Sequence, residues 1–430
     1  MRKSPLAKWQ SSCHLAAERD LMITIDEALN LVLSNLPERR LESVDFRSAL
    51  GRVLAENLVA TQDIPPFPRS AVDGYAVRLE DAGTTPATLA CVGEIRAGGG
   101  TSVPVGPMEA VAIMTGAPVP EGANAVQMVE YTRRSGDGRE VVILRPVKSG
   151  ENIAPRATEA SAGDLILASG RILGPAEIAV LATFGYTRVK VYARPRVALI
   201  ATGDELIDVD QVPRADQIRN SNAYSLSGQL AQMGLQADYL GIARDDKEEL
   251  RRLIELGLER DVLILTGGVS MGEYDFVKEI FQELELEIFF TKVRMKPGKP
   301  TVFARKEDKL VFGLPGNPVS TFVAFENFVR PALGRLCGFT QPELPRIKGE
   351  LLRDMQQTPG RTAFLPAWVS NGENGWTIEP LRWRGSADII GFSRCNATVI
   401  FPAERDCMRA GEIVEAMLLP DYSLRCHSGS

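Results

Sequence analysis

Three lysines, Lys292, Lys296 and Lys299, cluster around Met295-Lys-Pro-Gly-Lys-Pro300. Two prolines and a glycine restrict the backbone there, so the ammonium groups are held near one another. Such a group suits a small oxyanion or a pyrophosphate, although a solvated basic loop has the same composition. Two further segments place glycine between an apolar run and a helix-like pattern: Thr202-Gly-Asp-Glu-Leu206 and Thr266-Gly-Gly-Val-Ser270. Gly267, Gly268 and Ser270 could bring backbone N–H groups close to phosphate oxygens at a helix N-terminus. A third turn, Leu314-Pro-Gly-Asn-Pro318 followed by Ser320, adds donors of the same kind. Neither glycine junction fits the dinucleotide or P-loop spacing, and singly each is as well explained by a tight turn. Carboxylates accompany these anion sites: Asp204 and Glu205, Asp245 and Asp246, Glu273 and Asp275. Carboxylates beside phosphates repel them unless a divalent cation lies between. Asp246 and Asp275 also suit helix N-caps, whereas Glu205 and Asp245 have no such local explanation.

Other chemistries are excluded by what the chain lacks. Its two histidines, His14 and His427, fall in the terminal tails, so the body has no imidazole for a Ser-His-Asp or Cys-His centre. Six scattered cysteines form no C-x-x-C pair, against a zinc or redox motif and in keeping with reduced thiols. A net charge of −6 argues against general nucleic-acid binding, but a local lysine cluster can still serve an anionic substrate. No apolar run approaches a membrane span, and Met1 to Asp20 lacks the apolar core of a signal peptide, so a cytoplasmic protein is expected.

The elements that must position these groups follow from periodicity. At 430 residues, several domains are required. Thr24 and Glu27 match a capping box before the apolar stripe Ala28, Leu29, Val32 and Leu33, predicting a helix. From Asp63 to Lys148, short alternating runs broken by glycine and proline read as β-rich. A helix is expected near Pro175 to Phe184. From Arg196, buried-strand runs at Val197–Ala201 and Val262–Leu265 alternate with helical patterns near Tyr224–Met233, Asp246–Leu258, Asp275 onward and Asn317–Leu333. This predicts a mostly parallel sheet with helices on both faces. Short strands return beyond Pro345. The expected fold is multi-domain α/β plus β: a tail at 1–21, a small helical linker domain at 22–62 and 160–195, and a β-rich insertion domain at 63–159. A three-layer α/β domain at 196–342, a C-terminal β domain at 343–420 and a tail at 421–430 complete it.

Taken in order, the segments resemble one family. They are Asp63-Ile-Pro-Pro-Phe, Ser70-Ala-Val-Asp-Gly-Tyr-Ala-Val-Arg78, Ile113-Met-Thr-Gly-Ala-Pro-Val-Pro120, Thr202-Gly-Asp-Glu-Leu206, Arg219-Asn-Ser-Asn222, Thr266-Gly-Gly-Val-Ser270, Lys296-Pro-Gly-Lys-Pro300 and Pro315-Gly-Asn-Pro318. This set is similar to the molybdopterin molybdenumtransferase family, which includes MoeA and the gephyrin E domain. The resemblance implies a homodimeric transferase of four subdomains, the α/β one molybdopterin-binding. Its substrates would be adenylylated molybdopterin and molybdate, the metal being inserted at the dithiolene sulfurs with release of AMP and assistance from Mg²⁺. By motif position, Lys296, Lys299, Pro300, Ser320, Arg361 and Ser386 would hold molybdate. Asp73, Thr115, Glu205, Asp245, Asp275 and Lys292 would line the pterin, pyrophosphate and metal site. Of these, Asp73, Glu205, Asp275 and Lys292 would serve catalysis, and Glu205, Asp245 and Asp275 the metal. Expected partners are a separate molybdopterin adenylyltransferase and molybdoenzyme chaperones, with no nucleic acid and no membrane. Where the family has a basic run followed by Gly-Glu-Asp, this chain reads Gly150-Glu-Asn-Ile-Ala-Pro-Arg-Ala-Thr-Glu159, keeping only Arg156 and thinning the expected positive wall. The alternatives are a scaffold of the gephyrin type and an adenylyltransferase, which shares the α/β domain but lacks the flanking regions.

Overall fold

The computed structural model describes residues 22–99, 103–244, 246–268, 276–373 and 375–420. Its contacts divide the chain into two compact units, one of residues 43–50 and 56–189, the other of 1–42, 51–55 and 190–430. The capping box forms as its sequence requires. Helix α1 (Ile25–Ser34) begins with Glu27 N donating to Thr24 Oγ1 at 3.2 Å and Thr24 N donating to the Glu27 carboxylate at 2.8 Å. On its apolar stripe, Ala28 and Val32 are buried in the core of the second unit.

In the first unit, β1 (Gly74–Val77), β2 (Ala87–Ile95), β3 (Glu109–Ile113), β4 (Ala125–Met128), β5 (Thr132–Arg134) and β6 (Glu140–Ile143) form a six-stranded sheet in the order β4-β1-β3-β2-β6-β5. Each face has its own core, with Tyr75, Val77 and Leu89 on one side and Ala76, Val111 and Val126 on the other. Helix α2 (Pro175–Thr183) opens with Pro175, whose missing N–H costs nothing in a first turn.

The second unit contains the α/β layers. Strands β7 (Val197–Thr202), β8 (Ala237–Ala243), β9 (Val262–Thr266), β10 (Glu287–Phe290), β12 (Val302–Lys306) and β13 (Lys309–Leu314) make one sheet in the order β8-β7-β9-β13-β12-β10. The first four are mutually parallel, and β12 and β10 are antiparallel at one side. Alternate residues face two cores: Val197 and Leu199 on one side, Ala198 and Ile200 on the other. Helix α3 (Asn222–Gln232) covers the first face. Helices α4 (Lys247–Gly257) and α5 (Phe276–Glu283) cover the second. Burial on both faces explains why these strands read as unbroken apolar runs.

The expected last helix is one helical stretch in three parts: α6 (Pro318–Ala324), a π-turn (Phe325–Val329) and α7 (Arg330–Leu336). Beyond it, β14 (Arg346–Leu351), β15 (Thr362–Gly372), β16 (Gly375–Pro380), β17 (Ala397–Phe401) and β18 (Ile413–Leu418) pair in the cycle β15-β16-β14-β18-β17-β15. The C-terminal β domain is therefore a closed five-stranded barrel, which leaves no free sheet edge. The short strand β11 (Met295–Lys296) of the lysine loop pairs with the start of β15. The rings of Phe322 and Phe392 meet edge to face at 5.1 Å, seating the barrel on α6. No helix among the described residues is long and apolar enough to cross a membrane.

Candidate functional site

The glycine turns leave the carboxyl ends of β7, β9 and β13, side by side in the sheet. Only glycine fits two positions of the turn after β9. Gly267 has φ +88°, and a Cβ there would lie 2.4 Å from the Thr202 carbonyl oxygen; Gly268 has φ +62°, and its Cβ would lie 2.5 Å from Thr202 Oγ1. A Cβ on Gly316 would meet the Gly267 Cα at 3.6 Å, so the three junctions converge. Gly267→Ala is expected to cost about 1–3 kcal/mol in backbone strain alone, visible as a lower urea midpoint. A midpoint equal to wild type would show that the turn tolerates a side chain.

Above the junctions opens a cavity of about 730 Å³. Among the described residues, its charged lining comprises Arg219, Lys296, Lys299, Arg361 and one carboxylate, Glu205. These described residues put four cations against one anion, a positive lining in a chain whose net charge is −6. Gly267, Pro300, Ser320 and Ser386 also line it.

Backbone and side-chain contacts position several of these groups. The lysine loop closes on itself: Val293 N and Thr301 N both donate to the Lys299 carbonyl, at 2.9 and 3.0 Å, and buried Thr301 Oγ1 donates to Gly298 O at 2.7 Å. Lys296 Nζ donates to Gln357 Oε1 at 2.8 Å, while Lys299 is exposed. Arg361 immediately precedes β15, whose Thr362 N donates to Arg294 O at 3.1 Å. Ser386 is docked on the N-terminus of α6. Its carbonyl accepts from Val319 N at 3.0 Å, and its hydroxyl accepts from Asn317 Nδ2 at 2.9 Å. Ser320, in the first turn of α6, is buried.

The remaining expected residues are distributed differently. Lys292 is half-buried and does not line the cavity, and neither does Gly268, which packs against Thr202. Asp73 and Thr115 belong to the other unit, where Asp73 Oδ1 accepts from Thr115 N at 2.7 Å and from Thr115 Oγ1 at 2.8 Å. The Thr115 amide, then its hydroxyl, holds the Asp73 carboxyl below the usual range, so it stays charged as pH falls toward that lowered value. Thr115→Val removes the hydroxyl donor, and the Asp73 pKa should rise toward its ordinary value in a ¹³C NMR titration. An unchanged titration would mean that the amide alone sets it. Asp245, Ser270 and Asp275 lie outside the described residues. Asp246 is the N-cap of α4, its carboxylate accepting from Glu249 N at 2.8 Å. Among the described residues, no group of three His, Cys, Asp or Glu side chains could hold a metal unaided.

Arg219, Asn222 and Trp383 are among the lining residues to which the sequence assigned no role. Asn222 is the most connected. Its Nδ2 donates to Thr266 Oγ1 at 2.9 Å and to Gly316 O at 2.7 Å, tying two of the glycine junctions together. Arg219 Nε donates to the carbonyls of Val209 and Gln211, at 3.0 and 3.2 Å. The segment Arg219-Asn-Ser-Asn222 was visible as a motif, but polar residues before a helix read equally as a cap. Asn220 is one, accepting from Ala223 N at 3.2 Å.

A glycine-edged cavity lined by cationic side chains thus lies at the carboxyl ends of the parallel strands of a multidomain α/β protein, faced by a β-barrel. Comparison with known proteins narrows the class. Residues 23–185 match the family model for the MoeA N-terminal region (domain I and II). Residues 198–335 match that for a probable molybdopterin binding domain, and 348–419 that for the MoeA C-terminal region (domain IV). A molybdopterin molybdenumtransferase of Staphylococcus aureus is 35% identical over 409 residues, covering 94% of this chain and 97% of the relative. One from Staphylococcus epidermidis is 34% identical over 414 residues, covering 95% and 98%. The crystal structure of a molybdopterin biosynthesis MoeA protein from Pyrococcus horikoshii aligns with a TM-score of 0.78 at 32% identity, covering 93% of this chain and 99% of that one. The chain belongs to the molybdopterin molybdenumtransferase (MoeA) family.

Proposed function

We propose that this protein inserts molybdate into adenylylated molybdopterin, at the dithiolene sulfurs, and releases AMP. The observation that carries the reading is the cavity's charge: three cationic hydrogen-bond donors, Lys296, Lys299 and Arg361, line it together with Ser320 and Ser386 beside the glycine turns. A molybdate dianion offers acceptors on every oxygen, and ammonium and guanidinium groups supply charge-assisted donors to match. The glycine junctions leave backbone N–H groups near where a pyrophosphate would lie. Relatives matched along nearly their whole length carry the transferase name, which favours this reading over an adenylyltransferase or a scaffold.

The donor set fits Mg²⁺ held largely by its substrate. Among the described residues, Glu205 is the one carboxylate in the cavity lining, and Mg²⁺ commonly takes one or two carboxylates together with phosphate oxygens. Glu205, with Asp245 and Asp275, would hold the ion, whose charge would offset that of the pyrophosphate as AMP departs. Asp73 and Lys292 would act on the pterin and pyrophosphate, with Thr115 fixing the Asp73 carboxylate. We read the protein as a cytoplasmic homodimer that receives its substrate from a separate adenylyltransferase and passes the product to molybdoenzyme chaperones. Sedimentation at micromolar concentration should show a dimer; a fully active monomer would overturn that part.

The function is tested by reconstitution. Purified protein, adenylylated molybdopterin, Mg²⁺ and micromolar molybdate should activate a cofactor-free molybdoenzyme, and EDTA should abolish the effect. Equal activation without this protein at the same molybdate concentration would refute the reading.

A further inference from the structure

Lys296 is gripped from behind. Its backbone pairs with Ala363 of the barrel, and its ammonium donates to Gln357 Oε1 at 2.8 Å. Gln357 is itself fixed. Its Oε1 also accepts from Thr358 N at 3.1 Å, and its backbone N–H donates to Asp406 O at 2.9 Å, beside the paired residues Gln356 and Cys407. Two donors face the same side-chain atom, so the amide can only present its oxygen there; turning it would set N–H groups against an ammonium. Lys296 makes no ion pair with a carboxylate among the described residues, although its partner position is one that a glutamate would fill with the same shape.

We propose that Gln357 is a positioning residue of the oxyanion site, orienting the Lys296 ammonium at the cavity wall without neutralising it. A carboxylate in the same place would hold the lysine at least as firmly. It would also compete with the incoming dianion for the charge, because an opposite unit charge at hydrogen-bond distance cancels most of the field beyond it. A neutral amide oxygen occupies one of the three ammonium hydrogens and leaves two for the substrate. Gln357 itself does not line the cavity, so it acts through Lys296 alone. The proposal rests on the oxyanion reading of the cavity.

The test is a molybdate titration by calorimetry on the full-length protein at fixed ionic strength, comparing wild type with Gln357→Glu, Gln357→Met and Lys296→Ala. Gln357→Met leaves a charged but untethered lysine and should raise the Kd two- to fivefold. Gln357→Glu should raise it about tenfold or more, while its melting temperature stays at or above that of wild type because an ion pair is gained. A residue that only braced the structure would give the reverse order, since glutamate keeps the shape and both acceptor contacts. Gln357→Glu binding as well as or better than Gln357→Met, with Lys296→Ala weakened, overturns this proposal and leaves the oxyanion site intact. Lys296→Ala binding molybdate like wild type overturns both.

Discussion

Lys296→Ala should need roughly ten- to hundredfold more molybdate for half-maximal AMP release, with near-normal turnover at saturation. The residue supplies a charged hydrogen-bond donor held in place by Gln357, and losing such a donor costs about 1.5–3 kcal/mol. The loss falls on binding of a free dianion, so excess molybdate restores what the missing charge removed. Glu205→Gln and Asp275→Asn belong to the other half of the site. They should lower AMP release at every molybdate concentration, because a shortage of metal substrate is not their defect. Titrating the variants side by side at fixed pterin substrate and Mg²⁺ separates the roles. A Lys296→Ala enzyme with an unchanged molybdate requirement, or a Glu205→Gln enzyme rescued by molybdate, would mean the assignment is wrong.

The second large effect lies behind the site. In the π-turn, the fully buried Glu326 carboxylate pairs with Arg330 Nε and accepts from Arg330 Nη2 at 3.2 Å and Gln229 Nε2 at 2.7 Å. Gln229 sits on α3 and Arg330 on α7, so the network links two helical segments whose N-terminal ends, at Asn222 and Pro318, line the cavity. Glu326→Ala leaves a guanidinium that is 7% exposed without its counter-charge. Removing one member of a buried pair typically costs 3–5 kcal/mol, or roughly half the stability of an ordinary domain. Urea unfolding should show that loss, and double replacement by apolar residues should recover much of it. A single variant within about 0.5 kcal/mol of wild type would show that Arg330 finds water or another partner.

Local signals were legible in the sequence and long-range closure was not. The Thr24–Glu27 box and the Asp246 cap are settled within three residues, so pattern reading finds them. Strands β7 and β9 announce themselves because both faces are buried. Strands β12 and β13 escaped notice, since their hairpin passes through the charged run Arg305-Lys-Glu-Asp-Lys309. Barrel closure depends on β15 pairing on both sides, with β16 and with β17, which no local period reveals. The lysine loop, glycine turns and Glu205 stood out by residue type alone, and they line one cavity. The Lys296–Gln357 bond joins residues 61 apart, and Asn222 meets Gly316 across 94, so their connection appears only once the chain is folded.

The most direct test of the account is AMP release from adenylylated molybdopterin by the purified protein with Mg²⁺, measured with and without molybdate. AMP should appear only when molybdate is present, with a metal-loaded dithiolene as the other product. AMP release at the same rate without molybdate, or none in its presence, would contradict the account.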